Sequence, residues 1–159
     1  MGLNIFTLIH VLISLAGILA GLVVLGGWLA ARHFRGLTAL FLATTALTSI
    51  TGFFFPFQGF TPAYAVGGIS VILLVVAAYA LYGRKLAGRW QTTYLVTAGF
   101  ALYLNFFVLV AQLFARLPAL HALAPTQAEP AFGVTQGLVF LGFLILGVAA
   151  VRRFRTVAV

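Results

Sequence analysis

Long apolar stretches, separated by short segments rich in proline, glycine or basic residues, set the pattern of hydrophobic and polar positions along this chain. Each stretch is near or above the roughly 20 mostly apolar residues that a helix needs to cross a bilayer. The pattern predicts five transmembrane helices that form one membrane domain over residues 1–159. The expected spans are 3–31, 36–55, 63–83, 90–115 and 131–151, with a loop at 116–130.

Composition favours a lipid environment over a soluble fold. Of the 159 residues, 64% are hydrophobic and only 6% are charged, whereas a soluble domain carries roughly a quarter charged residues. A core of this size cannot bury so much apolar surface, so lipid is the expected solvent. We therefore expect an all-α integral membrane protein. The chain has no cysteine, which excludes thiol catalysis and thiolate metal sites.

Basic residues give the expected orientation. All but one of the nine Lys and Arg residues fall in three clusters, which follow predicted spans one, three and five. The clusters are Arg32/Arg35, Arg84/Lys85/Arg89 and Arg152/Arg153/Arg155. Because Lys and Arg remain on the cytoplasmic side, the N-terminus is expected outside and the C-terminus in the cytoplasm. An alternative with four spans makes the helical pair around Pro56 re-entrant.

The net charge of +8 follows from this topology. It does not indicate a nucleic-acid partner, because the charges lie at helix ends without interleaved stacking aromatics. The expected partners are the lipid bilayer and the anionic headgroups of its cytoplasmic side. The single acidic residue, Glu129, is expected on the opposite side.

Polar side chains on the first span form one helix face. Thr7, His10, Ser14, Gly17 and Gly21 follow one another at spacings of three and four residues. The two glycines allow another helix to approach closely, so packing between helices explains this face as well as ligand binding does.

Further polar residues lie in spans two, four and five. Thr48 belongs to a run of hydroxyls that can bond back to their own helix, and Asn105 and Gln112 are seven residues apart on one face. A carboxamide in hydrocarbon needs a partner, which a neighbouring helix or a ligand supplies. These residues fall in the outer half of the expected bundle, which predicts an outward-facing polar pocket. Its expected lining is His10, Ser14, Thr48, Asn105, Gln112 and Gln136.

The outer loop places two more candidate residues above this pocket, His121 and Glu129. Pro118 is suited to open a short helix there, and Glu129 precedes Pro130, where a helix dipole stabilises a carboxylate. His10, His121 and Glu129 are also candidate ligands for zinc or iron, and His10 and His121 are candidate ligands for haem. The spacing contains no local ligand motif, so no cofactor is favoured.

The inner half of the bundle is expected to contain almost no polar side chains. His33 lies among the cytoplasmic arginines and reads as a solvated interface residue. Trp28 and Trp90 lie near the same interface, where aromatic residues form a belt.

The sequence lacks residues that several classes of membrane protein and enzyme require. No carboxylate lies inside a predicted span, although proton-coupled transporters and pumps rely on intramembrane acids or histidines. No lysine lies inside a span to form a Schiff base. The chain contains no aspartate for a Ser-His-Asp triad.

Three segments carry a resemblance to known proteins: Phe41-Leu-Ala-Thr-Thr with Gly52-Phe-Phe-Phe-Pro, Tyr103-Leu-Asn-Phe-Phe-Val-Leu, and Leu120-His-Ala-Leu-Ala-Pro-Thr-Gln. Together they resemble small bacterial polytopic inner-membrane proteins of uncharacterised activity. The resemblance covers most of the chain, and it implies a multi-pass protein of the bacterial inner membrane without implying an activity.

The leading hypothesis is a non-enzymatic membrane protein whose outward pocket binds, senses or passes a small neutral or amphipathic molecule. The small-residue faces of spans one and five, Gly17/Gly21 and Gly133/Gly137, suit tight packing within or between protomers. Five helices make a small transporter, so a homo-oligomer is expected. Two alternatives remain open. One is a metal- or haem-dependent redox enzyme that uses His10, His121 and Glu129. The other is a structural subunit of a larger membrane complex.

Overall fold

The computed structural model describes residues 4–56, 59 and 62–154, and all regular structure in this part of the chain is helical. The helices are α1 (Ile5–Leu29), α2 (Arg35–Gly52), α3 (Pro62–Ala78), α4 (Trp90–Arg116), α5 (Pro118–Leu123) and α6 (Pro130–Arg153). A π-helical turn, Tyr79–Gly83, continues α3. The expectation of an all-helical protein is therefore confirmed for these residues.

Four of the helices are long and apolar enough to cross a membrane: α1, α3 with its π-helical turn, α4 and α6. These four correspond to predicted spans one, three, four and five. The second predicted span, 36–55, forms the shorter helix α2. This helix starts with Arg35 and carries a dense run of threonine and serine hydroxyls, which lower its hydropathy.

The helix ends differ from the predicted bounds where the backbone turns. α1 ends at Leu29 rather than at Ala31, because Ala31 adopts the left-handed conformation with φ of 54°. α2 ends at Gly52, ahead of the turn that leads to Pro56. Three parts of the predictions lie outside the described residues: Leu3, most of the turn between Pro56 and Pro62, and Arg155.

The described members of the three basic clusters lie at one end of the bundle, which we call the basic end. There His33 and Lys85 line one cleft, and the Gln91 side chain donates to the Phe154 carbonyl over 3.1 Å. The opposite end, where α5 and the connection between α2 and α3 lie, is the loop end. α4 is the central helix, because it packs against each of the other five.

The connection from α3 to α4 folds back into the bundle. Its Lys85 and Leu86 both adopt left-handed backbone conformations, with φ of 49° and 58°. The Leu86 N–H donates to the Ala80 carbonyl over 3.0 Å, inside the π-helical turn. This geometry inserts the Leu86 side chain into the core, where only 1% of it is exposed.

The larger of two hydrophobic clusters lies toward the basic end. At its centre Trp28 packs edge-to-face on Tyr94, with ring centroids 5.4 Å apart, and both side chains are almost completely buried. The expectation that Trp28 belongs to an interfacial belt is therefore wrong, because it faces the core. A smaller cluster at the loop end joins Phe114 on α4 to Phe132 on α6.

Candidate functional site

α1 and α4 are joined by a hydrogen bond between two predicted site residues. The Ser14 hydroxyl donates to Asn105 Oδ1 over 3.1 Å. Asn105 is buried, with 8% of its surface exposed. The glycine face of α1 lies next to this contact, since Gly17 and Gly21 are both buried against neighbouring helices. The predicted polar face of α1 therefore serves packing and polar contact together.

His10 connects α1 to α2. Its Nδ1 lies 2.8 Å from Thr51 Oγ1, and the Thr51 hydroxyl lies 2.6 Å from the Leu47 carbonyl of its own helix. Because the hydroxyl hydrogen goes to that carbonyl, the imidazole donates through Nδ1–H. The ring also packs edge-to-face on Phe55, with centroids 5.0 Å apart.

Gln136 connects α6 to α4. Its Nε2 donates to the Phe107 carbonyl over 3.1 Å, two residues along α4 from Asn105. Only 7% of Gln136 is exposed. Ser14 of α1 and Gln136 of α6 thus contact α4 two residues apart, at Asn105 and at the Phe107 carbonyl.

Two atoms of these carboxamides lack a protein partner. Asn105 Nδ2 and Gln136 Oε1 are both buried without a hydrogen bond. One is a donor and the other an acceptor, and burying either without a partner costs about 1–3 kcal/mol. One buried N–H donor and one buried oxygen acceptor therefore lie beside the middle of α4 without a hydrogen bond from the protein.

The hydroxyls of α2 mostly bond within their own helix, as the sequence predicts. Thr48 donates to the Thr44 carbonyl over 2.8 Å, and Ser49 to the Thr45 carbonyl over 3.0 Å. Thr45 differs, because its Oγ1 is buried without a partner. Thr48 is half-buried, and its hydrogen is used inside α2.

Gln112 does not join the buried carboxamides. It is exposed, and its Oε1 accepts from Arg116 Nε over 3.0 Å, one turn further along α4. A spacing of seven residues from Asn105 gives a shared helix face. However, Gln112 lies in the last two turns of α4, where its side chain is exposed. This residue is better described as part of the loop-end surface.

The loop at 117–129 is held by its own polar side chains. The Glu129 carboxylate accepts from the Thr126 hydroxyl over 2.8 Å and from the Thr126 backbone N–H over 3.2 Å. These hydrogen bonds, the hydroxyl above all, hold the pKa of Glu129 below its ordinary value. Gln127 donates to the Ala111 carbonyl over 2.8 Å and so ties the loop to α4.

The three candidate metal ligands lie in different surroundings. His10 is bonded to Thr51, Glu129 is bonded to Thr126, and His121 is exposed in the last turn of α5. The structure does not bring them together. Across residues 4–56, 59 and 62–154, no three His, Cys, Asp or Glu side chains lie close enough to hold one metal ion.

Buried polar side chains also lie at the basic end, where the sequence did not predict them. Trp28 Nε1, Thr38 Oγ1 and Tyr94 OH are buried there without hydrogen bonds of ordinary geometry, although the Tyr94 hydroxyl lies close to the other two side chains. The expectation of a nearly apolar inner half is therefore wrong. The signal was present in Thr38 and Tyr94, which lie in helices three and five residues after the basic residues Arg35 and Arg89.

His33 is half-buried rather than solvated. It lines a cleft of about 410 Å³ at the basic end, together with Arg35, Tyr82 and Lys85. Its Nδ1 is buried without a hydrogen bond. Burial, and secondarily the charge of Arg35, lower the pKa of His33 from its usual value of 6.5.

A groove of about 380 Å³ runs between α4 and α6 in the half of the bundle near the basic end. Leu25 and Trp28 of α1 form part of its floor, and almost all of its lining atoms are apolar. Gly99 on α4 and Gly147 on α6 lie in its walls, and their missing side chains keep it open. Arg152 lies at its mouth at the basic end.

Comparison with protein-family models, with curated proteins and with solved structures finds no match to this chain.

Proposed function

We propose that this chain is a five-span protein of the bacterial inner membrane, with its N-terminus outside and its C-terminus in the cytoplasm. The gathering of the basic clusters at one end supports this orientation, because Lys and Arg stay on the cytoplasmic side. The length of α2 supports the fifth span. Its 18 residues extend about 27 Å, close to the roughly 30 Å of a hydrocarbon core.

Within this topology the protein binds, senses or passes a small neutral or amphipathic molecule through the outer half of the bundle. The observation that carries this proposal is the pair of buried, unpartnered carboxamide atoms, Asn105 Nδ2 and Gln136 Oε1. Polar groups in hydrocarbon face the interior or a water-filled cavity and find partners there. A molecule that can both accept and donate, such as an alcohol or an amide, has a group that can pair with either atom.

The surrounding charges favour a neutral ligand. His10 is bonded to the Thr51 hydroxyl through Nδ1, and Glu129 is already engaged by Thr126. No other acidic side chain exists in the chain. A charged ligand would have no counter-charge beside Asn105, and desolvating its charge would be costly.

The test is labelling of single cysteines in membranes with a maleimide that cannot cross lipid, which is direct because the chain has no native cysteine. His10→Cys, Asn105→Cys and Gln136→Cys are expected to react from outside, since a ligand site must be reachable by water. Ala101→Cys is the matched control and is expected to stay unreactive, because Ala101 is fully buried in the apolar core one turn away on α4.

Failure of all three site cysteines to react would overturn the proposed pocket. Equal reaction of Ala101→Cys would show general loosening of the bundle and would also contradict it. An experimental structure at high resolution gives a second check. It is expected to contain water or ligand density within hydrogen-bonding distance of Asn105 Nδ2 or Gln136 Oε1.

A further inference from the structure

The groove between α4 and α6 is open because both of its walls carry a glycine. A Cβ added to Gly147 would meet no atom within 4 Å, and one added to Gly99 would meet only the edge of the Trp28 ring, at 3.8 Å. The groove is therefore unfilled space beside two membrane helices. α6 contributes to this openness, since only 11% of its most apolar window is buried by the rest of the chain.

The dimensions of the groove match one leaflet of a bilayer. Its lining on α4 runs from Thr92 to Tyr103, a distance of about 16 Å at 1.5 Å per residue. Half of a hydrocarbon core is about 15 Å. An extended acyl chain that enters from the basic end would therefore fill the groove and end near the middle of the membrane.

The mouth of the groove is positively charged, and no acidic side chain lies beside it. Arg152 lies there beside Thr92. The single carboxylate side chain of the protein, Glu129, precedes the first residue of α6, at the other end of the same helix. No acidic side chain of the protein therefore neutralises Arg152, and a guanidinium binds phosphate oxygens in a bidentate manner.

We propose that this groove binds one anionic phospholipid, with an acyl chain between α4 and α6 and its phosphate at Arg152. A headgroup with net negative charge is favoured over a zwitterionic one, because its phosphate is not offset by an ammonium group of its own. The site is separate from the outer-half pocket and does not depend on it, since the two lie in opposite halves of α4.

The test is native mass spectrometry of the full chain released from detergent, with phosphatidylglycerol and phosphatidylcholine of identical acyl chains. The wild-type protein is expected to retain one phosphatidylglycerol with about fivefold preference over phosphatidylcholine. Both lipids carry the phosphate, so this preference is the effect of the net negative headgroup charge on one arginine. Arg152→Gln is expected to abolish this preference. Arg153→Gln is the matched control, because it removes the same charge one residue away without lining the groove, and it is expected to retain the lipid.

A second pair of variants tests the apolar part of the site. Gly147→Leu is expected to fill the groove and reduce retention of both lipids about tenfold. Gly142→Leu is the control, because it adds the same side chain to open space on α6 outside the groove. Monodisperse elution shows whether each variant is folded; if Gly147→Leu is not, the two arginine variants decide the question.

Three outcomes would overturn the proposal. Equal loss of preference in Arg152→Gln and Arg153→Gln would indicate general attraction to the basic end. Undiminished lipid retention by a folded Gly147→Leu protein would place the lipid elsewhere. A wild-type dimer without lipid, separated by Gly147→Leu but not by Gly142→Leu, would make a second copy of the chain the occupant.

Discussion

His33 lies in the connection between α1 and α2, half-buried beside Arg35. Its lowered pKa means that the folded protein resists protonating this ring, first because of burial and then because of the neighbouring charge. The unfolded chain binds a proton near the usual pKa of 6.5. The free energy of unfolding therefore falls as the pH drops below 6.5, and it levels off below the pKa of the folded state.

Removing the charge of Arg35 separates the two causes of this shift. Arg35→Gln is expected to raise the pKa of His33 while leaving it below 6.5, because burial remains. Histidine-labelled protein with His10→Gln and His121→Gln isolates the His33 resonances in an NMR titration. Arg153→Gln removes a positive charge from another basic cluster and is expected to leave the His33 titration unchanged. An unaltered midpoint in Arg35→Gln would exclude the charge of Arg35 as a cause.

Side-chain environments were predictable only where they depend on neighbours along the chain. The bonds from Thr48 and Ser49 to carbonyls four residues earlier follow from helix geometry, and the sequence predicts them correctly. The burial of His33 and the exposure of Gln112 depend on how connections and helix ends fold against other elements. No spacing in the sequence specifies those contacts, so both residues were placed incorrectly.

At the scale of the helix, two glycine pairs with the same spacing, one on α1 and one on α6, have different surroundings. Gly17 and Gly21 on α1 are buried, and a Cβ on Gly21 would lie 2.6 Å from Leu102 Cδ1 and 2.9 Å from the Phe41 ring. Gly133 and Gly137 on α6 have the same spacing, but a Cβ on either would meet no atom within 4 Å. The expected close approach is confirmed for α1. On α6 the described residues make no such approach within one chain, and an approach between protomers stays a prediction.

This difference predicts opposite effects of one substitution. Gly21→Ala is expected to lower the free energy of unfolding by about 1–3 kcal/mol, because α2 and α4 must move to admit the methyl group. Gly137→Ala is expected to raise it by about 0.5–1 kcal/mol, since alanine stabilises a helix and meets nothing here. Thermal unfolding in one detergent, followed by circular dichroism, measures both.

Comparable destabilisation by Gly21→Ala and Gly137→Ala would contradict this packing and would mean that α6 is covered in the assembled protein. That result would favour the homo-oligomer that the sequence predicts and that otherwise stays a prediction. The sequence could not distinguish the two glycine pairs, because the rotation of a helix about its axis is set by side chains on other helices, here Phe41 and Leu102.

For the molecule as a whole, charge and hydropathy carry most of the predictable information. Clusters spaced along the sequence meet at one end because helices of similar length alternate in direction. Four of the five predicted spans have the required length and hydropathy. α2 is the exception, since its threonine and serine side chains lower its hydropathy.

Single cysteines on either side of α2 decide whether it crosses the membrane. Ala30 and Pro56 are exposed just beyond its two ends. In the proposed topology Pro56→Cys reacts with an impermeant maleimide in intact cells, and Ala30→Cys reacts only after permeabilisation. The controls are Ala87→Cys and Ala122→Cys, at exposed positions beyond the two ends of α4. Of these two controls, only Ala122→Cys is expected to react in intact cells.

Reaction of Ala30→Cys and Pro56→Cys from the same side would mean that α2 does not cross, as in the re-entrant alternative. The clusters at Arg32 and Arg84 would then lie on opposite sides of the membrane if α3 still spans it, contrary to the charge rule that orients the chain. The basic end would have to divide across the bilayer, although His33 and Lys85 line one cleft. That conflict is why crossing by α2 is the expected result despite its low hydropathy.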